Sequence, residues 1–485
     1  MNRLSPMILA VSALLFFSCS RTFQTPTETT GFEEPANYEQ IRHFCEEVAR
    51  ENKQLELDVF GQSVEGRDLL VLKASYQGNQ YEEPLRVLLF AQQHGNEQAS
   101  KEGALLLIRD LANGEYDHWL QRIELWIVPQ LNPDGGELNR RANAGNFDLN
   151  RDHVVKQAPE TRAIHALFRD FMPHVTIDVH EYQPYRQAWA DFGGYKQFDV
   201  QVGVTTNINI DQTVQQYSLT KALDHIESHL TEKGYSFHNY LVGPPPSEGI
   251  TRHSTVDIND GRQSFGILQT MAFIHEGING RDGFAENLSH RSHGQLEAKK
   301  ALMDFLYENN QEVVNMVNHA RQMMIDGTAP EKVAIRTGYF QRGAPLELPL
   351  KSSTTGRDTV VIVDSYHPLV KPLLEVRRPA GYLIPAHDDQ LMSWIRLHHI
   401  QFDSRMPVGM KAYACELETN QGAPYTNPVP VTVDQEDYVF VPMNQLHGNF
   451  LVLTLEPMSE LNIGRHQLFS YLMDDTDSYP VLRVE

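Results

Sequence analysis

Residues 85–111 read LRVLLFAQQHGNEQASKEGALLLIRDL, and residues 122–152 continue RIELWIVPQLNPDGGELNRRANAGNFDLNRD. An apolar run over 85–91 stops just before His94 and Glu97, and a helical pattern follows through Ala104, Leu105, Ile108 and Leu111. This is the pattern of a buried strand that delivers an imidazole and a carboxylate to the carboxyl edge of a sheet, where open α/β sheets bind ligands. Both are zinc ligands, and a catalytic zinc takes three protein ligands and keeps one position open. A second apolar run over 123–128 leads into Asn132-Pro133-Asp134-Gly135, then Arg141-Ala142-Asn143, then Asp148-Leu149-Asn150-Arg151. A third, over 175–179, ends in Asp178-Val179-His180-Glu181.

In this order, H-x-x-E, N-P-D-G, R-x-N, D-L-N-R and a histidine after a later strand resemble the zinc carboxypeptidases of the M14 type, over residues 38–325. The resemblance implies one zinc ion held by His94, Glu97 and His180, and peptide substrates with a free terminal carboxylate. It assigns Asn150 and Arg151 to that carboxylate and Arg141 to the scissile carbonyl. Glu276, which follows the apolar run 271–274, is the implied general base. The residue types suit the tasks. A guanidinium binds carboxylate through a bidentate fork and is a fixed cation beside a developing oxyanion. A carboxylate within reach of water can take a proton and return it to the leaving amine. Arg140 adjoins Arg141 and competes for its role, with the R-x-N spacing favouring Arg141. Either Asp178 or Glu181 orients a ligand from behind. His275 reads as a packing residue. The family's mobile tyrosine has no motif here, and Tyr235 and Tyr240 are its candidates.

The fold class that follows is α/β: a mixed, mostly parallel sheet with helices on both faces, plus a smaller β-rich C-terminal domain. Helices are expected over 38–55, 159–171, 217–234 and 290–325, with further strands over 57–60 and 69–74. Residues 182–212 read as a long loop, Gly243-Pro244-Pro245-Pro246 breaks the chain and 249–261 is turn-rich; the specificity pocket is expected within 235–262, where Asp257 and Asp260 favour a basic side chain if either points into it. Short runs over 359–363, 438–441 and 450–455 set the β-rich character of residues 333–485.

At 485 residues and 41% hydrophobic content the chain can bury a large core, and its net charge of −22 argues against a nucleic-acid partner. The chain opens with a positive residue, Arg3, an apolar core over 7–17 and Ser18-Cys19, which resembles a bacterial lipoprotein leader. The expected organisation is a signal peptide over 1–18, a tether over 19–37 from a lipid anchor on Cys19, a catalytic domain over 38–328 and the β-rich domain over 333–485. The expected location is the cell envelope, after secretion across the inner membrane. Cys45 and Cys415, in different expected domains, build no disulfide framework. Gly261-Arg262-Gln263-Ser264-Phe265-Gly266 has the wrong spacing for a nucleophile elbow. Two rivals to a carboxypeptidase are a zinc deacylase of N-acyl amino acids or cell-wall peptides, and a non-catalytic surface-binding lipoprotein.

Overall fold

Eight strands form the main sheet of the computed structural model: β1 (Leu55–Gln62), β2 (Asp68–Ala74), β3 (Leu85–Ala91), β4 (Ile123–Val128), β5 (Val175–Tyr182), β6 (Val200–Val204), β7 (Phe237–Asn239) and β8 (Met271–Ile278). Their order is β1-β2-β4-β3-β5-β8-β6-β7. The centre, β4-β3-β5-β8, is parallel, while β1 against β2, β2 against β4 and β8 against β6 are antiparallel. The structure describes residues 22–78, 83–415, 428–473 and 478–485; the expected leader and Cys19 lie outside these residues.

The apolar run of β3 is continuous because both faces of the sheet are covered. Val87, Leu89 and Ala91 enter one core with helices Tyr38–Glu51, Gln98–Ala112, Leu288–Glu308 and Asn310–Ile325. The first of these helices begins at Asn37, which forms a reciprocal capping box with Gln40. Leu88 and Phe90 point the other way, into a core with helix Pro159–Phe171 and the C-terminal helices Asp389–Leu397 and Gly448–Leu455. In that second core Phe265 stacks on Phe168 at 4.4 Å between ring centroids. Trp394 Nε1 and His398 Nε2 both donate to the Val154 carbonyl, at 2.8 and 2.9 Å. The C-terminal residues therefore complete the core beneath the sheet. They also add a five-stranded sheet and the paired strands Lys332–Phe340 with Leu369–Arg377, which gives the expected β-rich region.

Four segments differ from the sequence reading. Residues 182–212 are not a long loop throughout, because β6 pairs antiparallel with β8; five residues with a glycine inside, flanked by turn formers, carry little periodic signal. The helix expected over 290–325 is two, Leu288–Glu308 and Asn310–Ile325, divided at Asn309. The run 450–455 is helical and buried on every side, and a short apolar run cannot by itself distinguish that from a strand. Residues 22–37 lie against the body: Phe23 is buried, Thr27 Oγ1 donates to Glu102 at 2.7 Å, and the Ala36 amide donates to the same carboxylate at 2.8 Å.

Candidate active site

His94 and Glu97 leave the carboxyl end of β3, and His180 leaves that of β5 beside it. Glu276 on β8 is the direct register partner of His180. Because β5 and β8 are parallel and alternate in phase, the two side chains stand on the same face of the sheet. All four residues are buried.

The three ligand atoms converge. His94 Nδ1 lies 2.7 Å from Glu97 Oε1, His180 Nδ1 lies 2.9 Å from Glu97 Oε2, and the two Nδ1 atoms are 3.1 Å apart. Each far ring nitrogen faces a carboxylate: His180 Nε2 meets Asp178 Oδ1 at 2.8 Å and His94 Nε2 meets Asp148 Oδ1 at 3.2 Å. Those partners assign the N–H of a neutral ring to Nε2 and leave a lone pair on each Nδ1. Two lone pairs and a carboxylate then point at one another, an arrangement relieved by a cation. The donor set is the one zinc takes, so the residues fit the metal. Without it, burial lowers the His180 pKa, but Asp178 and Glu97 outweigh burial and hold it well above the usual imidazole range. Glu97 is held well below the carboxylate range, since its two histidines outweigh its burial.

Of the two residues considered for orienting a ligand, Asp178 does so and Glu181 does not. Glu181 turns to Arg291, which donates from Nε and Nη2 at 3.0 and 2.8 Å, and accepts from the Ala99 amide at 2.9 Å. Asp178 is steadied in turn by Gln93 Nε2 at 2.9 Å. Gly261 is required beside them, because a Cβ there would sit 2.6 Å from both Asp178 Oδ2 and Gln93 Nε2. Gly95 is required for a similar reason: a Cβ would meet the Gly135 backbone at 2.1 Å, where the N-P-D-G turn passes under the ligand loop.

Arg141 and Arg140 part company. Arg141 directs Nη1 at His94 Nδ1 (3.3 Å) and Nε at Asp148 (2.9 Å), while Arg140 turns back onto the carbonyls of Ala142 and Asn143. Burial raises the pKa of Asp148, but His94 and Arg141 outweigh it and hold the carboxyl well below its usual range. Asn150 is buried; its Oδ1 accepts from the Gly261 amide at 2.7 Å and its Nδ2 lies 3.3 Å from His180 Nε2. Arg151 is exposed and, among the described residues, donates once, to the Asn150 carbonyl.

These residues open on a cleft of about 360 Å³, also lined by Arg186, Lys196, Tyr240 and Arg252. Tyr240 lines the cleft with Glu276 and acts on its carboxyl, whereas Tyr235 packs on His290. Burial raises the Glu276 carboxyl above its ordinary pKa. Asp257 and Asp260 both line the cleft, with Asp260 lying 3.4 Å from the buried Arg262. His275 falls on the opposite face of β8, buried, with neither ring nitrogen hydrogen-bonded among the described residues. Asp148 and Gln93 went unassigned in the sequence, although Asp148 had a signal as the leading residue of D-L-N-R; of the two candidate tyrosines, Tyr240 is the one that lines the cleft.

A profile of the family described as zinc carboxypeptidase, Peptidase M14, matches residues 41–187. Carboxypeptidase 2 of Trichophyton rubrum is 25% identical over 518 aligned residues, spanning 96% of this chain and 90% of its own. The chain carries a zinc carboxypeptidase domain of the M14 type. Carboxypeptidase SOL1 of Arabidopsis thaliana is 30% identical over 155 residues, covering 28% of this chain and 30% of its own. Among solved structures, a metallo-carboxypeptidase from Burkholderia cenocepacia is 18% identical with a TM-score of 0.44, over 56% of this chain and 70% of that one. His94, Glu97 and His180 are placed to hold a metal ion, each offering one ligand atom at the same point.

Proposed function

We propose that this chain removes single residues from the C-termini of peptides, and that it does so at the cell envelope from a lipid anchor on Cys19. The observation that carries the reaction is the register of β5 and β8, which sets Glu276 beside the ligand His180. His94, Glu97 and His180 would hold a zinc ion, which would supply Lewis acidity toward the scissile carbonyl and the attacking water. Glu276 takes the proton of that water and delivers it to the leaving amine, with Tyr240 holding the carboxylate in the cleft. Arg141, fixed by Asp148, faces the carbonyl oxygen as charge develops on it. Arg151, with most of its donors free, and the remaining amide N–H of Asn150 take the substrate's terminal carboxylate.

The anchor is supported by the apolar core over 7–17 and by Ser18-Cys19 at its end. Because Phe23 is already seated on the body, a lipid on Cys19 would hold that face within about 14 Å of the membrane, the reach of four extended residues. An unlipidated Cys19 in the mature protein, read by intact mass, contradicts the anchor. For the reaction, a peptide digest read by mass spectrometry should show stepwise loss from the C-terminus only, abolished by a chelator and restored by zinc. Release of an N-acyl group instead would replace the carboxypeptidase by a deacylase.

A further inference from the structure

A second cavity, of about 380 Å³, lies on the far side of helix Pro159–Phe171, where that helix meets the C-terminal residues 397–399 and 446–447. Its walls divide sharply. Phe168, Met172, Leu268, Leu397 and Leu446 give an apolar side. The polar side carries Lys156, Arg162, Arg169 and four histidines, and no Asp or Glu lines the cavity. In a chain with a net charge of −22, such a wall is not a sampling of the surface.

Lys156 is the unusual member. It is 5% exposed, and its backbone sits at φ 59°, in the left-handed region. Among the described residues no hydrogen bond or ion pair engages its Nζ. The carboxylate that acts on it electrostatically, Asp152, accepts from the amides of Gln157 and Ala158, each at 2.8 Å. Arg169 is neutralised by Asp170 at 2.7 Å, and Arg162 donates to the carbonyls of Lys156 and Gln157. A buried ammonium without a counter-ion is costly, so such groups are paired or lose their charge. Burial accordingly pushes Lys156 down to about 7.

We propose that this cavity binds a small organic carboxylate with an apolar body, its carboxylate on Lys156 Nζ and its body against Phe168, Leu268 and Leu446. The volume falls in the range of small-molecule sites, and the pattern of apolar walls with a few convergent polar groups is theirs. An anion that is polar all round would leave the apolar wall wet. The inference concerns binding outside the catalytic cleft and stands whether or not the chain hydrolyses peptides.

The test uses the zinc-loaded full chain carrying Arg151→Ala, which weakens carboxylate binding in the catalytic cleft. Hexanoate, hexanamide and inorganic phosphate are titrated separately at pH 6, where Lys156 is charged, by calorimetry and by thermal shift. Hexanoate should bind and raise Tm, as any ligand of the native state does. Hexanamide and phosphate should bind at least tenfold more weakly. Lys156→Met keeps the side chain's length and removes the unpaired charge, so it should fold, hold zinc as before, and lose at least tenfold in hexanoate affinity. Arg162→Gln is a second variant expected to weaken hexanoate. Equal binding of hexanoate and hexanamide, or hexanoate affinity unchanged in Lys156→Met, would reduce the cavity to an apolar hole. Phosphate binding as tightly as hexanoate would make it an inorganic-anion site, and no hexanoate binding at millimolar concentration would overturn the proposal outright.

Discussion

His180 Nε2 and Asp178 Oδ1 stand 2.8 Å apart, on one strand and one face, and both residues are buried. Residues i and i+2 of a strand share a face, so the alternation of β5 alone delivers a ligand with its orienting carboxylate. Asp178→Asn keeps the shape and removes the acceptor's charge. Loss of such a partner typically costs about 10- to 100-fold in metal affinity. Chelator competition on the variant should give a loss in that range, and an unchanged zinc affinity would mean that Asp178 does not tune the site.

Arg151 is an exposed cation of the cleft beside the buried Asn150, and its removal should be selective. A hydrogen bond to a charged group contributes about 1.5–3 kcal/mol, so Arg151→Ala should lower kcat/KM on free-acid peptides by about 10- to 100-fold. The same peptides with amidated ends should lose far less. Equal losses on both would point to an endopeptidase or a different amidase.

Four histidines, His153 and His398 buried and His165 and His447 half-buried, cluster where helix Pro159–Phe171 meets the C-terminal residues. Burial pushes His153 and His447 down to about 3, and holds His165 and His398 well below the usual range. The unfolded chain takes up protons near pH 6.5 that the native state refuses, so stability is full above 6.5 and falls progressively toward pH 3. Urea midpoints of the zinc-free protein at pH 7.5, 6 and 5 should fall in that order, and His447→Gln should flatten the slope. A midpoint flat from pH 7.5 to 5 would contradict the burial of these rings in their neutral form.

The C-terminal helices are built into the core under β3, with Trp394 and His398 on one carbonyl of the catalytic part. A chain ending at residue 328 should therefore expose that core and resist purification as a folded protein, and the full chain should melt in one calorimetric transition. A stable, zinc-binding fragment would show that the shared core is dispensable.

The centre of the fold was legible because β3, β4 and β5 are largely buried and read as mostly apolar runs that end in or lead to polar side chains. His94, Glu97 and His180 stood out for the same reason: each follows such a run. What the sequence hid depends on contacts distant along the chain. β6 is five residues long and has meaning only beside β8. Tyr240 reaches Glu276 from a segment without periodicity, and Gln93 steadies Asp178 across 85 positions. The apolar run 450–455 gave no sign of helix because burial on all sides erases the helical period.

The most direct test is Glu276→Gln, with zinc content and turnover measured on the same sample. One carboxylate serving as both base and acid contributes about 10² to 10⁴-fold for each transfer. The variant should therefore keep one zinc per chain and an unchanged melting profile, while kcat on a free-acid peptide falls by at least about 10²-fold. Near-normal kcat in a fully zinc-loaded variant would contradict the assignment and move the base elsewhere in the cleft, to Glu181 first.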